Sequence, residues 1–263
     1  MGRHVTELFK LGGKTALVTG GSRGLGLQMA QALGELGATL VISARKAPEL
    51  EGAAAQLRDL GITVHTVVAD ASSDADMAGL ADEAIAHLGH VDILVNNAGA
   101  SWGAPAEDHP VQAWDKVMNV NIRGVFVLTQ LIGRKSMLPR RQGRIVNVTS
   151  IAGLGGNPDF MKTIAYNTSK GACITFTQAL AAEWGPHGIT VNAIAPGSFE
   201  TRMSAPMFAG GGGEKLAAHV PLRRTGDDED LKGLVALLAS DAGKHITGQV
   251  VAVDGGVSAV IAA

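Results

Sequence analysis

The chain has 263 residues, of which 46% are apolar and 17% charged, and its formal net charge is −2. This size and composition predict one α/β domain with a large core. The near-neutral charge argues against nucleic-acid or anionic-membrane partners, and no apolar run is long enough to span a bilayer. One cysteine, Cys173, excludes an internal disulfide, and with no signal-peptide pattern the sequence predicts a cytoplasmic protein.

Seven short apolar runs alternate with longer amphipathic stretches along the chain. The runs are rich in β-branched residues and span 15–19, 39–43, 63–68, 93–96, 144–149, 190–195 and 250–254. Continuous apolar runs of this length are typical of parallel strands buried on both sides. We therefore predict a single doubly wound, Rossmann-type α/β domain over residues 1–263, with a seven-stranded parallel sheet and helices on both faces.

A glycine-rich segment, residues 19–26, follows the first predicted strand. It reads Thr-Gly-Gly-Ser-Arg-Gly-Leu-Gly. Glycines allow a tight turn and a close approach of the backbone to a pyrophosphate, and the helix that follows presents its positive end to the same group. The segment therefore predicts a dinucleotide site that includes Gly20, Ser22, Arg23, Gly24, Leu25 and Gly26.

The second predicted strand ends in Ser43-Ala44-Arg45-Lys46. In a doubly wound fold this strand tip faces the adenosine ribose, where an acidic residue would bind the 2′-hydroxyl of NAD. Ala44 offers no acceptor, whereas Arg45 offers a cationic fork suited to a 2′-phosphate, and Arg23 would add a second cation. The sequence therefore predicts NADP(H) in preference to NAD(H). The alternative is that both arginines are solvated surface charges.

Tyr166 and Lys170 lie four residues apart, which places them on one face of a helix. A free phenol loses its proton only at about pH 10, so a neighbouring ammonium must stabilise the phenolate for proton transfer near neutrality. Ser150 ends the fifth predicted strand and could donate a hydrogen bond to a substrate oxygen. These groups predict proton delivery to a ketone oxygen; a packed ring beside a solvated charge is the alternative.

These motifs occur in an order that resembles the short-chain dehydrogenase/reductase family over almost the whole chain. The matching positions are Thr-Gly-x-x-x-Gly-x-Gly from Thr19, Asn96-Asn97-Ala98-Gly99, Asn121, Ser150, Tyr166-x-x-x-Lys170 and Pro196-Gly197. The resemblance implies Asn121, Ser150, Tyr166 and Lys170 as catalytic residues. It also implies that Asn121 kinks its helix and orders a water leading to Lys170.

The same resemblance implies the remaining cofactor contacts, which are Asp70, Asn97, Ala98, Gly99, Tyr166, Lys170, Pro196, Gly197 and Thr201. Asp70 would contact the adenine, although capping the following helix is an equal alternative. Asn96 would stabilise the central strand and touch the cofactor ribose, and Thr201 would bind the nicotinamide carboxamide. A homodimer or homotetramer is implied as well. The eight histidines show no metal-ligand spacing, so no metal site is predicted.

The substrate is predicted to be a small ketone or alcohol, with a carrier- or CoA-bound acyl chain favoured. Ser101-Trp102-Gly103 resembles 3-oxoacyl reductases, and Met203, Met207 and Phe208 would form an apolar lid. These three residues lie in segment 198–225, which contains four consecutive glycines and is predicted to be a mobile loop covering the site.

Three further alternatives stay open. A sugar-acid dehydrogenase resembling gluconate 5-dehydrogenase is the second enzymatic reading, and a non-catalytic NADP(H)-binding sensor or structural partner is a reading of another class. Arg202, Arg223 and Arg224 could meet a carboxylate or a phosphopantetheine-bearing carrier, or could be ordinary surface charges. The spacing from Ser150 to Tyr166 is slightly longer than the family norm, with Asn157-Pro158-Asp159-Phe160-Met161 between them, which predicts an unusual pocket wall.

Overall fold

A seven-stranded parallel sheet forms the centre of the computed structural model, which describes residues 2–159 and 161–260. The strand order is β3-β2-β1-β4-β5-β6-β7. The strands are β1 Thr15–Thr19, β2 Thr39–Ala44, β3 Val64–Val68, β4 Ile93–Asn96, β5 Gly143–Val148, β6 Ile189–Pro196 and β7 Val250–Val253. The predicted fold class is confirmed, and each strand end lies within one residue of its predicted position.

Helices cover both faces of the sheet. They are α1 Val5–Phe9, α2 Gly24–Glu35, α3 Ala47–Asp59, α4 Asp74–Leu88, α5 Val111–Met118, α6 Gly124–Ile132, α7 Leu138–Arg140, α8 Ile164–Trp184, α9 Ala205–Phe208, α10 Gly212–His219 and α11 Lys232–Ala239. Buried residues of α2, α3 and α11 share one apolar core, and those of α4, α6 and α8 share the other. No helix within residues 2–159 or 161–260 has the length and hydropathy needed to cross a bilayer.

The two cores explain why the strands are apolar at nearly every position. Along β1, Ala16 and Val18 point into the core under α2, whereas Leu17 points into the core under α8. β4 repeats the pattern, with Ile93 on the first side and Leu94 on the second. Successive side chains of a strand alternate between faces, so a sheet covered on both sides requires uninterrupted apolar runs.

The strand order reverses between β1 and β4, because the chain first adds β2 and β3 on one side and then crosses to the other. At such a switch point the loops after the two central strands separate and leave a crevice at the carboxyl ends of the strands. The glycine-rich segment after β1 and the Asn97-Ala98-Gly99 segment after β4 both open into this crevice.

The segment 198–225 contains two short helices, α9 and α10, joined by a single tight turn. Of its four consecutive glycines, Gly210 and Gly211 have positive φ values of 61° and 82°, whereas Gly212 and Gly213 begin α10. Part of the glycine run therefore forms regular structure, which the sequence did not predict. The mobility of the segment stays a prediction.

Candidate active site

A cleft of about 580 Å³ lies at the carboxyl ends of the central strands. It is lined by all but two of the residues predicted to bind cofactor or to react. The lining residues are Gly20, Ser22, Arg23, Gly24, Leu25, Gly26, Arg45, Asp70, Asn97, Ala98, Gly99, Ser150, Tyr166, Lys170, Pro196, Gly197 and Thr201. Residues separated by as much as 181 positions are thus brought together on one surface. The exceptions are Asn96 and Asn121, which are buried behind the cleft wall.

Tyr166 and Lys170 occupy adjacent turns of α8, and both face the cleft. The Lys170 Nζ lies 5.6 Å from the centre of the Tyr166 ring. Lys170 is 4% exposed, and its Nζ donates a hydrogen bond to the carbonyl of Val148 at 2.7 Å. Within the described residues no carboxylate forms an ion pair with this ammonium. Burying a cation without a counter-charge costs free energy. The position of the Lys170 ammonium beside the Tyr166 phenol lets its charge stabilise a phenolate.

Ser150 is the second residue after β5 and lines the cleft. Its Oγ accepts a hydrogen bond from the backbone N–H of Ala152 at 3.1 Å, which fixes the short turn Ile151–Gly153. The contact uses an acceptor site of the hydroxyl and leaves its hydrogen free to donate. The serine can therefore donate to an oxygen placed in the cleft.

Asn121 lies in a π-helical segment, Asn119–Arg123, between α5 and α6. Its Oδ1 accepts from the backbone N–H of Ala100 at 2.8 Å, and its Nδ2 donates to the Ala100 carbonyl and to the Ser169 Oγ, each at 2.9 Å. The side chain thus fixes the backbone just after Gly99. A Cβ placed on Gly99 would lie 3.7 Å from Asn121 Oδ1 and 3.8 Å from Lys170 Nζ, so both groups flank this glycine.

The glycine-rich segment is held against β4 by side chains on both strands. The Thr19 Oγ1 accepts from the backbone N–H groups of Asn97 and Ala98 at 3.0 and 3.1 Å. The Asn97 Nδ2 donates to the Thr19 and Gly20 carbonyls. A Cβ on Gly26 would lie 2.3 Å from the Gly20 carbonyl oxygen, so the turn can close only over a glycine. The role of Thr19 in holding this turn was not predicted from the sequence.

Helix α2 begins at Gly24, directly after this turn, and no side chain caps its first turn. Its free N–H groups border the cleft through Gly24, Leu25 and Gly26. An uncapped helix N-terminus carries partial positive charge and unsatisfied donors, which suit a pyrophosphate. The residues present therefore fit a dinucleotide.

The far rim of the cleft is charged. Glu49, in the first turn of α3, contacts Arg23, Lys46 and Arg202. The hydrogen bond from Lys46 lowers the pKa of Glu49 below its ordinary value, and Arg202 and Arg23 act in the same direction. Arg45 Nη1 lies 4.0 Å from Asp70 Oδ2. Neither Glu49 nor Lys46 was predicted as a site residue, because an isolated Lys-x-x-Glu pair gives no sequence signal beyond a helix start.

The structure contradicts one of the two alternatives for Asp70 and one half of the prediction for Asn96. The alternative that Asp70 caps α4 fails because Ser73 occupies the cap and accepts from the Asp76 N–H, whereas Asp70 accepts from Ser72 and lines the cleft. Asn96 does not face the cofactor side. It is 3% exposed and donates to Asn147 and Thr129 inside the core, so it can stabilise the strands but cannot touch a ribose.

The segment between Ser150 and Tyr166 forms a wall held by one asparagine. The Asn167 Nδ2 donates to the carbonyls of Ala152 and Gly155 at 2.8 and 3.1 Å, and its Oδ1 accepts from Thr163 and Asn157 at 2.9 and 3.1 Å. The Ala104 N–H donates to the Lys162 carbonyl at 2.9 Å, which joins this wall to the segment after β4. Within the long spacing singled out from sequence, Phe160 lies outside the described residues.

Of the three arginines singled out in or near the covering segment, only Arg202 lines the cleft. Arg223 donates to the Ala218 carbonyl, and Arg224 forms a two-pronged pair with Asp230 that raises its pKa and lowers that of Asp230 to about 2. Surface placement is therefore correct for these two. Trp102, singled out from sequence for its resemblance to 3-oxoacyl reductases, is 46% exposed.

Other chemistry-bearing groups add nothing to the cleft. Across residues 2–159 and 161–260, no group of three or more His, Cys, Asp or Glu side chains could hold a metal ion. Cys173 is buried in α8, and burial raises the pKa of its thiol. A buried thiol of this kind is a packing residue.

Comparison with known proteins places the chain in a family. Residues 14–210 match the short chain dehydrogenase model. A gluconate 5-dehydrogenase of Gluconobacter oxydans is 38% identical over 96% of this chain and 97% of that protein. A rhamnolipids biosynthesis 3-oxoacyl-[acyl-carrier-protein] reductase of Pseudomonas aeruginosa is 40% identical over 94% of this chain and 97% of that protein.

A solved structure agrees. The gluconate 5-dehydrogenase of Burkholderia cenocepacia, in complex with NADP and tartrate, superposes with a TM-score of 0.91 at 35% identity, covering 98% of this chain and all of that one. The chain belongs to the short-chain dehydrogenase/reductase family. It is an oxidoreductase that acts on a CH–OH group or a ketone.

Proposed function

We propose that this protein is an NADP(H)-dependent oxidoreductase that interconverts a ketone and a secondary alcohol, and that it reduces 3-oxoacyl thioesters. The observation that carries the reaction class is the Tyr166 phenol in the cleft with the Lys170 ammonium 5.6 Å from its ring centre. The same pair weighs against a purely binding or structural role, because such a role would not require a buried ammonium with no carboxylate partner among the described residues.

In this proposal each catalytic side chain has a separate task. The nicotinamide, when bound, supplies hydride to the carbonyl carbon. Tyr166 delivers its phenolic proton to the carbonyl oxygen, and the Lys170 ammonium stabilises the phenolate left behind. Ser150 donates a hydrogen bond that holds the same oxygen in place. Asn121 fixes the backbone at Ala100 and orders the water that returns a proton towards Lys170.

The NADP(H) preference is supported by the charge of the rim. Ala44 and Arg45 occupy the end of β2, where an NAD-selective site would carry a carboxylate. Arg23 lies on the same rim. The Burkholderia cenocepacia relative was solved with NADP. Equal catalytic efficiency of the unmodified enzyme with NADPH and NADH would contradict this part of the proposal.

An acyl substrate is favoured by the side chains near the reactive end of the cleft. Met203 lines the cleft and is 49% exposed, and Trp102, Leu154 and Met207, from the segments after β4 and β5 and from segment 198–225, are also more than two-fifths exposed. Exposed apolar side chains of this kind suit an apolar ligand. The polar groups of the adjacent wall, Asn157, Thr163 and Asn167, already satisfy one another. Little of that wall is left to bind sugar hydroxyls.

Sugar-acid oxidation is the second candidate, and the similarity to gluconate 5-dehydrogenases favours it. We also propose that residues 1–263 form one catalytic domain, that segment 198–225 moves over the substrate, and that the enzyme is a homodimer or homotetramer. The proposed movement of segment 198–225 is supported by the position of Thr201, Arg202 and Met203 in the cleft wall.

The replacement Tyr166→Phe tests the reaction class. It removes the chain's only phenol while keeping the ring, so we expect kcat to fall by about 10²-fold or more, as for loss of a general acid. NADPH binding, followed by nicotinamide fluorescence, should stay within about twofold. A variant that reduces ketones at the parent rate would show that another group supplies the proton.

A substrate panel separates the two candidate functions. The unmodified enzyme is assayed by NADPH absorbance with 3-oxoacyl thioesters of increasing chain length and, in the reverse direction, with NADP and gluconate. The acyl proposal expects kcat/KM to rise with chain length, because each buried CH₂ contributes about 0.8 kcal/mol. Turnover of gluconate with no activity on the thioesters would reverse the assignment.

A further inference from the structure

One carboxylate, at the end of the cleft that is expected to hold the adenosine, contacts cations from three separate segments of the chain. Glu49, in α3, contacts Arg23 of the glycine-rich turn, Lys46 after β2 and Arg202 of segment 198–225. The Arg202 Nη1 lies 2.9 Å and the Lys46 Nζ 3.1 Å from Glu49 Oε1, whereas Arg23 contacts Oε2. All four residues line the cleft.

This arrangement places Arg202 next to the predicted phosphate position. Arg23 and Arg202 are on the two oxygens of a single carboxylate, so their guanidinium groups are close neighbours. Arg23 is the cation that the glycine-rich turn would offer to a 2′-phosphate. Any anion that replaces the Glu49 carboxylate between them would contact both arginines. Each guanidinium group can bind two phosphate oxygens at once.

The contacts that hold Arg202 are easily exchanged. Its side chain is 60% exposed, and those of Arg23 and Lys46 are 48% and 59% exposed. Exposed ion pairs contribute little to stability, so exchanging one for another has a small net cost. A phosphate carries more charge than a carboxylate and more acceptor oxygens, so it would compete well for three clustered cations.

We propose that Arg202 is a further specificity-determining residue for the 2′-phosphate of NADP(H), and that Glu49 holds it at the rim in the absence of that phosphate. The inference rests on the proposed NADP(H) preference and extends it. Arg202 belongs to the segment that we expect to cover the substrate. Binding of the phosphate would therefore attach this segment to the cofactor side of the cleft, which NADH could not do.

The replacement Arg202→Gln tests the first part. Calorimetry measures the Kd of 2′,5′-ADP, which carries the 2′-phosphate, and of 5′-ADP, which lacks it. We expect the variant to bind 2′,5′-ADP about tenfold more weakly, with 5′-ADP unchanged. Arg58→Gln is the matched control, because Arg58 pairs with Glu51 on the outer side of the same helix. Unchanged 2′,5′-ADP binding in Arg202→Gln would overturn the proposal.

The replacement Glu49→Gln tests the second part. Removing the competing anion should tighten binding of 2′,5′-ADP severalfold and leave 5′-ADP unaffected, with Glu51→Gln as the control. Weaker 2′,5′-ADP binding would show that Glu49 organises the cations instead of competing for them, and would overturn this part. Equal binding of both nucleotides by the parent enzyme would contradict the NADP(H) preference itself. If the parent prefers 2′,5′-ADP and Arg202→Gln binds it with the same Kd, only the inference about Arg202 is contradicted.

Discussion

The catalytic end of the cleft and its adenosine end are held in place by different interactions. At the catalytic end, Lys170 is 4% exposed and hydrogen-bonded to the Val148 carbonyl. Behind it, the fully buried Asn147 joins Asn96 to Thr177. At the adenosine end, Glu49 is surrounded by cations whose side chains are about half exposed.

The difference follows from what each end must do. A proton donor must sit in one position, and buried hydrogen bonds fix position because leaving one unmade is expensive. A charged nucleotide must enter and leave, and exposed ion pairs can exchange partners at small cost. Changes at the catalytic end should therefore alter rate or stability strongly, whereas changes at the adenosine end should alter the choice of cofactor with little effect on the fold.

The largest effect is expected from Lys170→Met. Loss of the ammonium removes the charge that stabilises the phenolate, and we expect kcat to fall by about 10²-fold or more. The same change removes a buried cation with no carboxylate partner in the described structure, so the melting temperature should stay equal or rise. Kinetics and thermal unfolding on one preparation test both statements. Loss of activity accompanied by a large fall in melting temperature would point to a structural role instead.

The next effect is on stability. Asn147→Ala removes one of the two acceptors of Asn96 Nδ2 and the donor to Thr177 Oγ1, and both lost hydrogen bonds are 2.9 Å long and buried. We expect the free energy of unfolding to fall by about 1–3 kcal/mol. Urea unfolding measures it, with the exposed amide variant Gln130→Ala expected within about 0.5 kcal/mol of the parent. Equal midpoints for Asn147→Ala and the parent would contradict the view that this network holds β4, β5 and α8 together.

The buried catalytic end of the cleft was largely predictable from sequence. The strands are found because a sheet covered on both faces needs uninterrupted apolar runs, as in Ala16-Leu17-Val18. Tyr166 and Lys170 are found because their spacing is that of one helix face and because the motifs around them occur in the order of a known family. Local patterns of this kind depend on a few neighbouring residues, so they are visible before the chain is folded.

The exposed adenosine end was only partly predictable. Arg202 and Glu49 are 153 positions apart, and no local pattern relates two surface charges at that distance. The cap of α4 was predicted as one of two roles for Asp70, but Ser73 takes it, because several residues before a helix can satisfy the same donors. At the buried end, the resemblance implied a kink in the helix at Asn121 but not the hydrogen bonds of Asn121 to the Ala100 backbone, which comes from another loop.

A smaller effect is expected at the adenosine end from Arg45→Asp. The Arg45 side chain is 60% exposed and lies 4.0 Å from Asp70, so its loss should cost little stability. A carboxylate at this position would repel a 2′-phosphate and accept from a 2′-hydroxyl. We expect the Kd of NADPH to rise about tenfold, equivalent to about 1.4 kcal/mol, with that of NADH equal or lower. Parallel weakening of both cofactors would contradict a phosphate-selective role.

The smallest effect is expected on the pH dependence of stability, at the partly buried His65. His65 on β3 stacks on His87 of α4, with ring centres 4.6 Å apart. Burial lowers the pKa of His65, and His87 and Arg58 act in the same direction. The folded state therefore binds fewer protons than the unfolded state, and stability should fall as the pH drops below the unfolded value of about 6.5.

Urea unfolding at pH 7.5 and 5.5, values chosen to bracket that ordinary pKa of about 6.5, measures this loss in the parent and in His65→Phe. The variant should lose less stability between the two values, whereas the exposed-site control His245→Gln should lose as much as the parent. An identical pH dependence in His65→Phe would mean that the stacked pair does not contribute. Because the His65 and His87 rings lie at the β3 edge, away from the cleft, kcat of His65→Phe at neutral pH should equal that of the parent.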